Sequence, residues 1–184
     1  MLHYVLLLLI IQSNVISLPI NDNDNKLLSL ILEENYPDNG YTVVNSKTTL
    51  QRLNEDSISF DPFVVNGYSV RPLIQQLIEK NREATSLTIE SNPTKGYIID
   101  TAEKFSKYFI ENGGGWDKLY KDNPKVHGLT SISLPAYDKK TNLVLVYKSF
   151  TQHYLAGEGN LILYSFDVSN GKLKELSRRM LWVS

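Results

Sequence analysis

The chain has 184 residues, of which 42% are hydrophobic and 21% are charged. This length and composition fit one globular domain with enough apolar material for a core, and argue against wholesale disorder. The 19 basic and 20 acidic residues give a formal net charge of −1. Nucleic-acid binding is not expected, because that function requires a basic excess. The lack of cysteine excludes disulfides, thiol nucleophiles and cysteine-ligated metals.

The N-terminal residues have the pattern of a removable signal peptide. Residues 5–11 are all apolar, a run too short to span a bilayer, which takes about 20 residues, but suited to the core of a signal peptide. Val15 and Ser17 are small residues at the spacing of a cleavage site. We therefore expect a signal peptide over residues 1–17; the alternative is a buried first element of the domain. Without a cysteine for lipidation, the mature protein is expected to be periplasmic or secreted, with no stable membrane anchor.

The predicted elements begin after a polar lead at residues 18–25, and a single domain is expected over residues 26–184. A short amphipathic helix is predicted over residues 26–35, with Asp24 or Asn25 as N-cap. Residues 41–44 read as a strand, and Asn66-Gly67 as a turn. A second helix is predicted to begin near Pro72. Its apolar residues recur at helical spacing and indicate a core-facing stripe: Leu73, Ile74, Leu77 and Ile78.

A third helix is predicted from Asp100, because Asp100 and Glu103 have the spacing of a capping box. Its expected buried face contains four apolar or aromatic residues: Phe105, Tyr108, Phe109 and Ile110. Three glycines at residues 113–115 are expected to end it. A further helical turn is predicted over residues 116–120.

The C-terminal half changes to the two-residue period of β-strands. Four strands are predicted, over residues 129–134, 143–150, 161–168 and 173–183. Asn170-Gly171 is a strong hairpin signal between the last two. Short connections favour antiparallel neighbours. The expected fold class is α+β, with N-terminal helices packed on one face of a C-terminal antiparallel β-meander, the face that carries Ile162 and Phe166.

Several segments of the C-terminal half carry a resemblance in motif order: WDKLYKDNP at 116–124, GLTSIS at 128–133 and GEGNLILY at 157–164. Over roughly residues 97–184 the chain resembles a family of small exported bacterial proteins of Bacteroidota-like species. The resemblance implies an exported location and a fold, and it carries no activity. The chain departs from that family in lacking a lipidation cysteine.

Residues 151–160 are the most interesting predicted surface segment, because the loop is longer than a hairpin needs and such loops often carry function. The candidate binding residues are Tyr154, Gly157, Glu158 and Gly159. Tyr154 is expected to be exposed, whereas Trp116 and Trp182 are expected in the core. His153 and Glu158 are weak candidates for a catalytic acid–base pair. The alternative is a solvated loop whose glycines serve backbone geometry.

The remaining patterns predict neither a cofactor nor a metal site. Gly157 and Gly159 precede a strand, whereas a dinucleotide fingerprint precedes a helix. His127 and His153 lack the spacing of metal ligands. The leading hypothesis is a non-enzymatic exported domain that binds an unknown protein or small-molecule partner through the 151–160 end of the sheet. The alternatives are a hydrolase using His153 and Glu158, and an inhibitor or immunity-type protein.

Overall fold

The computed structural model describes residues 21–34, 36, 38–49, 64–65 and 68–184. The predicted signal peptide and the turn at Asn66-Gly67 lie outside the described residues. The described helices are α1 (Asp22–Leu32), α2 (Arg71–Lys80) and α3 (Gly115–Asp122). The described strands are β1 (Tyr41–Asn45), β2 (Val64–Val65), β3 (Tyr68–Ser69), β4 (Tyr97–Asp100), β5 (Val126–Ile132), β6 (Ala136–Asp138), β7 (Leu143–His153), β8 (Ala156–Asp167) and β9 (Lys172–Val183).

The main sheet has the order β4-β1-β5-β7-β8-β9, and β6 pairs with β7 at its side. β1 runs parallel to both β4 and β5. The remaining pairs, from β5 through β9, are antiparallel. The α+β class is therefore confirmed. The predicted C-terminal strands correspond to β5, β7, β8 and β9, and these pair in antiparallel fashion. β1 and β4 add a parallel part to the same sheet, and the sequence pattern does not indicate β6.

Helices cover both faces of this sheet. Leu28 of α1 packs in a core cluster with Ile162 and Phe166. Leu77 of α2 packs in a second cluster with Leu161. Leu161 and Ile162 are neighbours on β8, and their side chains point to opposite faces because the side-chain period of a strand is two. The expectation that the helices share one face is wrong.

The first helix begins earlier than the sequence indicates. α1 includes Asp22 through Asn25, which the sequence pattern places in the polar lead, and its N-cap is Asn21 instead of Asp24 or Asn25. The Asn21 side chain accepts the backbone N–H of Asp24 at 2.9 Å, which satisfies one of the free donors of the first turn. Asp24 is thereby a helical residue. It is buried, and its carboxylate pairs with Lys80 of α2 at 2.6 Å.

The predicted third helix is replaced by a strand end and a turn. Asp100 ends β4, and its carboxylate accepts the backbone N–H groups of Lys104 and Phe105 at 2.7 and 3.1 Å. Glu103 has a φ of 52°, a left-handed conformation that a right-handed helix cannot include. Only a 3₁₀ turn, Ser106–Phe109, follows.

The triple glycine begins a helix instead of ending one. Gly114 and Gly115 have φ values of 87° and 62°, conformations that glycine adopts without steric cost. Gly114 is the N-cap of α3. Glycines often follow the last turn of a helix, but here they precede the first turn of α3.

The predicted 151–160 loop is mostly strand. β7 continues to His153 and β8 begins at Ala156, which leaves a two-residue turn at Tyr154 and Leu155. A Cβ atom at Gly159 would lie 2.0 Å from Nε1 of Trp182. Glycine in a strand often marks a close approach of another group, so this glycine reflects packing within the sheet. The expectation of a long loop is corrected accordingly.

Candidate functional site at the β7–β8 hairpin

The tip of the β7–β8 hairpin presents an exposed aromatic and an exposed aliphatic side chain. Tyr154 is 65% exposed and Leu155 is 82% exposed, which confirms the predicted exposure of Tyr154. The Tyr154 ring lies edge-on to Trp116, with ring centroids 6.5 Å apart. The His153 ring is also edge-on to Tyr154, with ring centroids 5.3 Å apart. The tyrosine of the turn therefore contacts two other rings.

Helix α3 holds this tip in place. Trp116 is buried, as the sequence predicts, and stacks with Tyr120 at 5.8 Å. The Tyr120 hydroxyl donates to the backbone carbonyl of Gln152. At Gly115, a Cβ atom would lie 2.1 Å from the Tyr154 hydroxyl oxygen. Position 115 therefore requires glycine for two reasons: its φ is positive, and the Tyr154 hydroxyl leaves no space for a Cβ atom.

Phe109 and Tyr154 both contact the Trp116 ring, and each is followed in the chain by an exposed aliphatic residue, Ile110 and Leu155. We call these four exposed side chains the tip surface. Phe109 meets Trp116 edge-on at 4.8 Å and is 38% exposed, while Ile110 is 67% exposed. Among the described residues, four of the seven exposed large hydrophobic side chains belong to this surface. Clustered exposed apolar residues mark interaction sites, and aromatic residues are enriched in them.

Gly157 and Gly159 do not lie at the tip. The backbone of Gly157 exchanges hydrogen bonds with Ser184, at 2.9 and 3.4 Å. Gly159 is covered by Trp182, whose indole N–H donates to the Tyr147 hydroxyl at 2.9 Å. The structure thus places both predicted binding glycines inside the sheet, where they serve strand pairing and side-chain packing.

Glu158 lies in a separate cleft on the α1 side of the sheet, which we call the charged cleft. It has a volume of about 250 Å³ and is lined by Glu34, Lys148, Phe150, Glu158, Asn160, Ile162 and Arg178. The Glu158 carboxylate accepts the side-chain amide of Asn160 at 3.0 Å. The sequence singled out Glu158, but not the residues that α1, β7 and β9 bring to it.

Two ion pairs set the electrostatics of the charged cleft. Lys148 pairs with Glu34, which also accepts the Tyr36 hydroxyl at 2.8 Å. Burial would raise the pKa of Glu34, but the charge and hydrogen bond of Lys148 outweigh it and lower that pKa. Arg178 binds Glu175 through two nitrogens, at 3.0 and 2.8 Å. That hydrogen bonding lowers the pKa of Glu175.

The two candidate catalytic residues have separate partners. His153 contacts Tyr154, and Glu158 accepts a hydrogen bond from Asn160. Within the described part of the chain, no hydrogen bond or ion pair joins His153 to Glu158. The hydrolase hypothesis gains no support from this geometry and stays a prediction.

His127 has a partner set that the sequence does not reveal. It lies 2.8 Å from the Asp38 carboxylate and stacks on Tyr36 with ring centroids 4.3 Å apart. The hydrogen bond from His127 lowers the pKa of Asp38. Asp38 and His127 are 89 residues apart in the chain, so no local motif could have indicated the pair.

A second cleft, of about 660 Å³, lies where the parallel strands β1 and β4 end. Open sheets often bind ligands at the carboxyl ends of parallel strands. Here Asn45 donates to the Ser131 hydroxyl at 2.6 Å, and Asp100 accepts two backbone N–H groups. Because these groups already hold neighbouring segments in place, the cleft gives a weaker indication of a ligand site.

The described residues contain neither a cluster of metal-ligating side chains nor a helix that could span a membrane. No three histidine, aspartate or glutamate side chains among them converge as metal ligands. None of the helices in the same part of the chain has the length and apolarity needed to cross a bilayer.

Comparison with protein-family models, with curated proteins and with solved structures finds no match to this chain. Function therefore rests on the side chains and their geometry, because a fold by itself does not define an activity. The resemblance to exported Bacteroidota-like proteins stays a prediction.

Proposed function

We propose that this chain is a non-catalytic, exported binding domain whose tip surface docks an apolar patch of a protein partner. The observation that carries the proposal is the group of exposed side chains held over buried Trp116. Tyrosine, tryptophan and phenylalanine supply much of the binding energy of protein interfaces, especially where neighbouring contacts exclude water.

The tip surface is suited to binding because it is already ordered. Tyr154 is held by the Trp116 ring and by the close contact of its hydroxyl with Gly115. The nearby backbone is held by the hydrogen bond from the Tyr120 hydroxyl to the Gln152 carbonyl. A side chain that is ordered before binding loses less conformational entropy in the complex. The balanced charge of the chain favours apolar contact over electrostatic attraction as the main source of affinity.

A site-specific photocrosslinker tests where the partner binds. With the crosslinking amino acid at position 155, we expect a discrete protein adduct in cell-envelope or secreted material. The same amino acid at position 168 is the control, because Val168 is 60% exposed and lies outside the tip surface. Equal adducts at both positions, or none at position 155, would contradict the proposal. An adduct of this chain with itself would show self-association instead.

Replacement of the tip residues tests the energetics with the identified partner. Tyr154→Ser with Leu155→Ser should weaken binding by at least about tenfold, since a hot-spot side chain contributes 2 kcal/mol or more. Val168→Ser should leave the Kd unchanged. Biolayer interferometry gives both values, and equal Kd values for the two variants would rule out the tip surface. A toxin or hydrolase as partner would define the domain as an inhibitor or immunity-type protein.

Export is tested by the mass of the mature chain. We expect the protein recovered from the periplasm or medium to begin at Leu18, after loss of residues 1–17. Intact-mass spectrometry and N-terminal peptide mapping measure this directly. Recovery of a chain that retains Met1 in the cell envelope would contradict cleavage.

A further inference from the structure

The charged cleft is a separate feature from the tip surface, and it has the dimensions of a small-molecule site. Its walls come from Glu34 beyond the end of α1 and from residues of β7, β8 and β9. Its volume of about 250 Å³ is slightly below the usual range for drug-sized ligands. An occupant of amino-acid size fits this space.

Two cationic side chains line the cleft from the strands on either side of β8, Lys148 from β7 and Arg178 from β9. The Lys148 side chain is 13% exposed and gives a hydrogen bond to Glu34. An ammonium group has three donors, so others remain. Arg178 bonds Glu175 through Nε and one Nη. A guanidinium has five N–H groups in a planar fork, and the others have no hydrogen-bond partner among the described residues.

Two carboxylates, Glu34 and Glu158, also line the cleft, and only Glu158 is available to a ligand. One of its oxygens accepts from Asn160, which is only 3% exposed and so fixes the carboxylate. Its second oxygen has no hydrogen-bond partner among the residues that the structure describes. Glu34 is already bonded to Lys148 and Tyr36. Glu158 is therefore the carboxylate available to a ligand ammonium.

Two apolar side chains also line the cleft, next to the charged ones: Phe150 pairs with Glu158, and Ile162 pairs with Arg178, on neighbouring strands. Phe150 and Ile162 line the cleft beside Lys148 and Asn160. A ligand with a carboxylate alone would leave Glu158 unpaired, and a ligand with an amine alone would leave the cationic donors unpaired. Glu158 is half-buried, and displacing water from a charged group without pairing it costs binding energy.

We infer that the charged cleft binds a small zwitterion of the α-amino-acid class with an aliphatic side chain. The ligand carboxylate faces Lys148 and Arg178, its ammonium faces Glu158, and its side chain contacts Phe150 and Ile162. The assignment is independent of the protein partner at the tip surface.

Three matched probes test this site on the full ¹⁵N-labelled chain by NMR titration. L-Leucine has both charges, 3-methylbutylamine lacks the carboxylate, and 4-methylpentanoate lacks the ammonium. We expect saturable shifts of the Lys148, Glu158 and Asn160 amides with L-leucine, and at least tenfold weaker binding of the other two. Equal affinities for all three probes, shifts away from the cleft, or no saturable shift would overturn the inference.

A matched pair of variants separates binding from folding. Glu158→Gln keeps the size and a carbonyl acceptor but removes the charge, and we expect it to weaken L-leucine at least tenfold. Glu90→Gln makes the same change at an exposed position outside the cleft and should leave the Kd unchanged. Dispersed spectra for both variants show that the fold is intact. Unchanged L-leucine affinity in Glu158→Gln would remove the assigned role of Glu158 and overturn the inference.

Discussion

Replacing Lys80 with methionine should lower the free energy of unfolding by about 3–5 kcal/mol, because it leaves a buried carboxylate without its partner. Asp24 is 3% exposed, and Lys80 Nζ lies 2.6 Å from its carboxylate. Lys80 also donates to the Pro135 carbonyl at 2.9 Å. Urea denaturation followed by tryptophan fluorescence measures the change.

A double variant distinguishes the unpaired charge from lost packing. Asp24→Leu with Lys80→Met removes both charges, and apolar replacement of a buried pair is often neutral or stabilising. We therefore expect the double variant to be more stable than Lys80→Met alone. Lys118→Met is the exposed control, because its pair with Asp122 is open to solvent and such pairs contribute little. A double variant no more stable than the single one would contradict this explanation.

The Asp24–Lys80 pair matters for the architecture because it joins helices on opposite faces of the sheet. α1 packs with Ile162, and α2 packs with Leu161. The ion pair joins the two helices, and Lys80 also donates to the Pro135 carbonyl. The sequence does not indicate this pairing, since the two residues are 56 positions apart.

Local patterns of the sequence predict the elements that depend on local physics. The stripe of α2 is buried at Leu73, Ile74 and Leu77, as helical spacing indicates. The Asn170-Gly171 turn joins β8 to β9, and Gly171 has the expected positive φ of 67°. Hydrophobic period and turn chemistry act over a few residues, so they can be read from the chain directly.

Features set by distant contacts could not be predicted in this way. The parallel pairing of β1 with β4 and β5 joins strands that are far apart in sequence. The capping box at Asp100 fails because its carboxylate instead holds the turn after β4. A local motif indicates which conformation a segment favours, and tertiary packing determines whether the segment adopts that conformation.

The candidate site shows the same division. Exposure of Tyr154 and burial of Trp116 follow from residue type and neighbouring sequence, and both are confirmed. The glycines at 157 and 159 suggested a loop, whereas Gly159 accommodates the ring of Trp182 from another strand. The charged cleft combines residues of α1's end and three strands, and no spacing rule connects them.

Leu161→Ala and Ile162→Ala should each lower the free energy of unfolding by about 2–5 kcal/mol, because each removes buried carbon atoms and leaves a cavity. Each residue is 1% exposed, and the two point to opposite faces of β8. A sheet covered on one face would leave one of these neighbours at the surface, where truncation costs little. Urea denaturation of both variants therefore tests the two-sided core.

The control is Val183→Ala on the edge strand β9, where the side chain is 69% exposed and truncation should change stability by less than about 0.5 kcal/mol. If an alanine variant does not accumulate as folded protein, Ile162→Val keeps the α1 face measurable at about 1 kcal/mol. Near-native stability of either alanine variant would contradict the two-sided core.

The same core fixes the orientation of β8. Because Leu161 and Ile162 are buried on opposite faces, Glu158 lies on the α1 face, as Ile162 does, and Gly159 lies against Trp182.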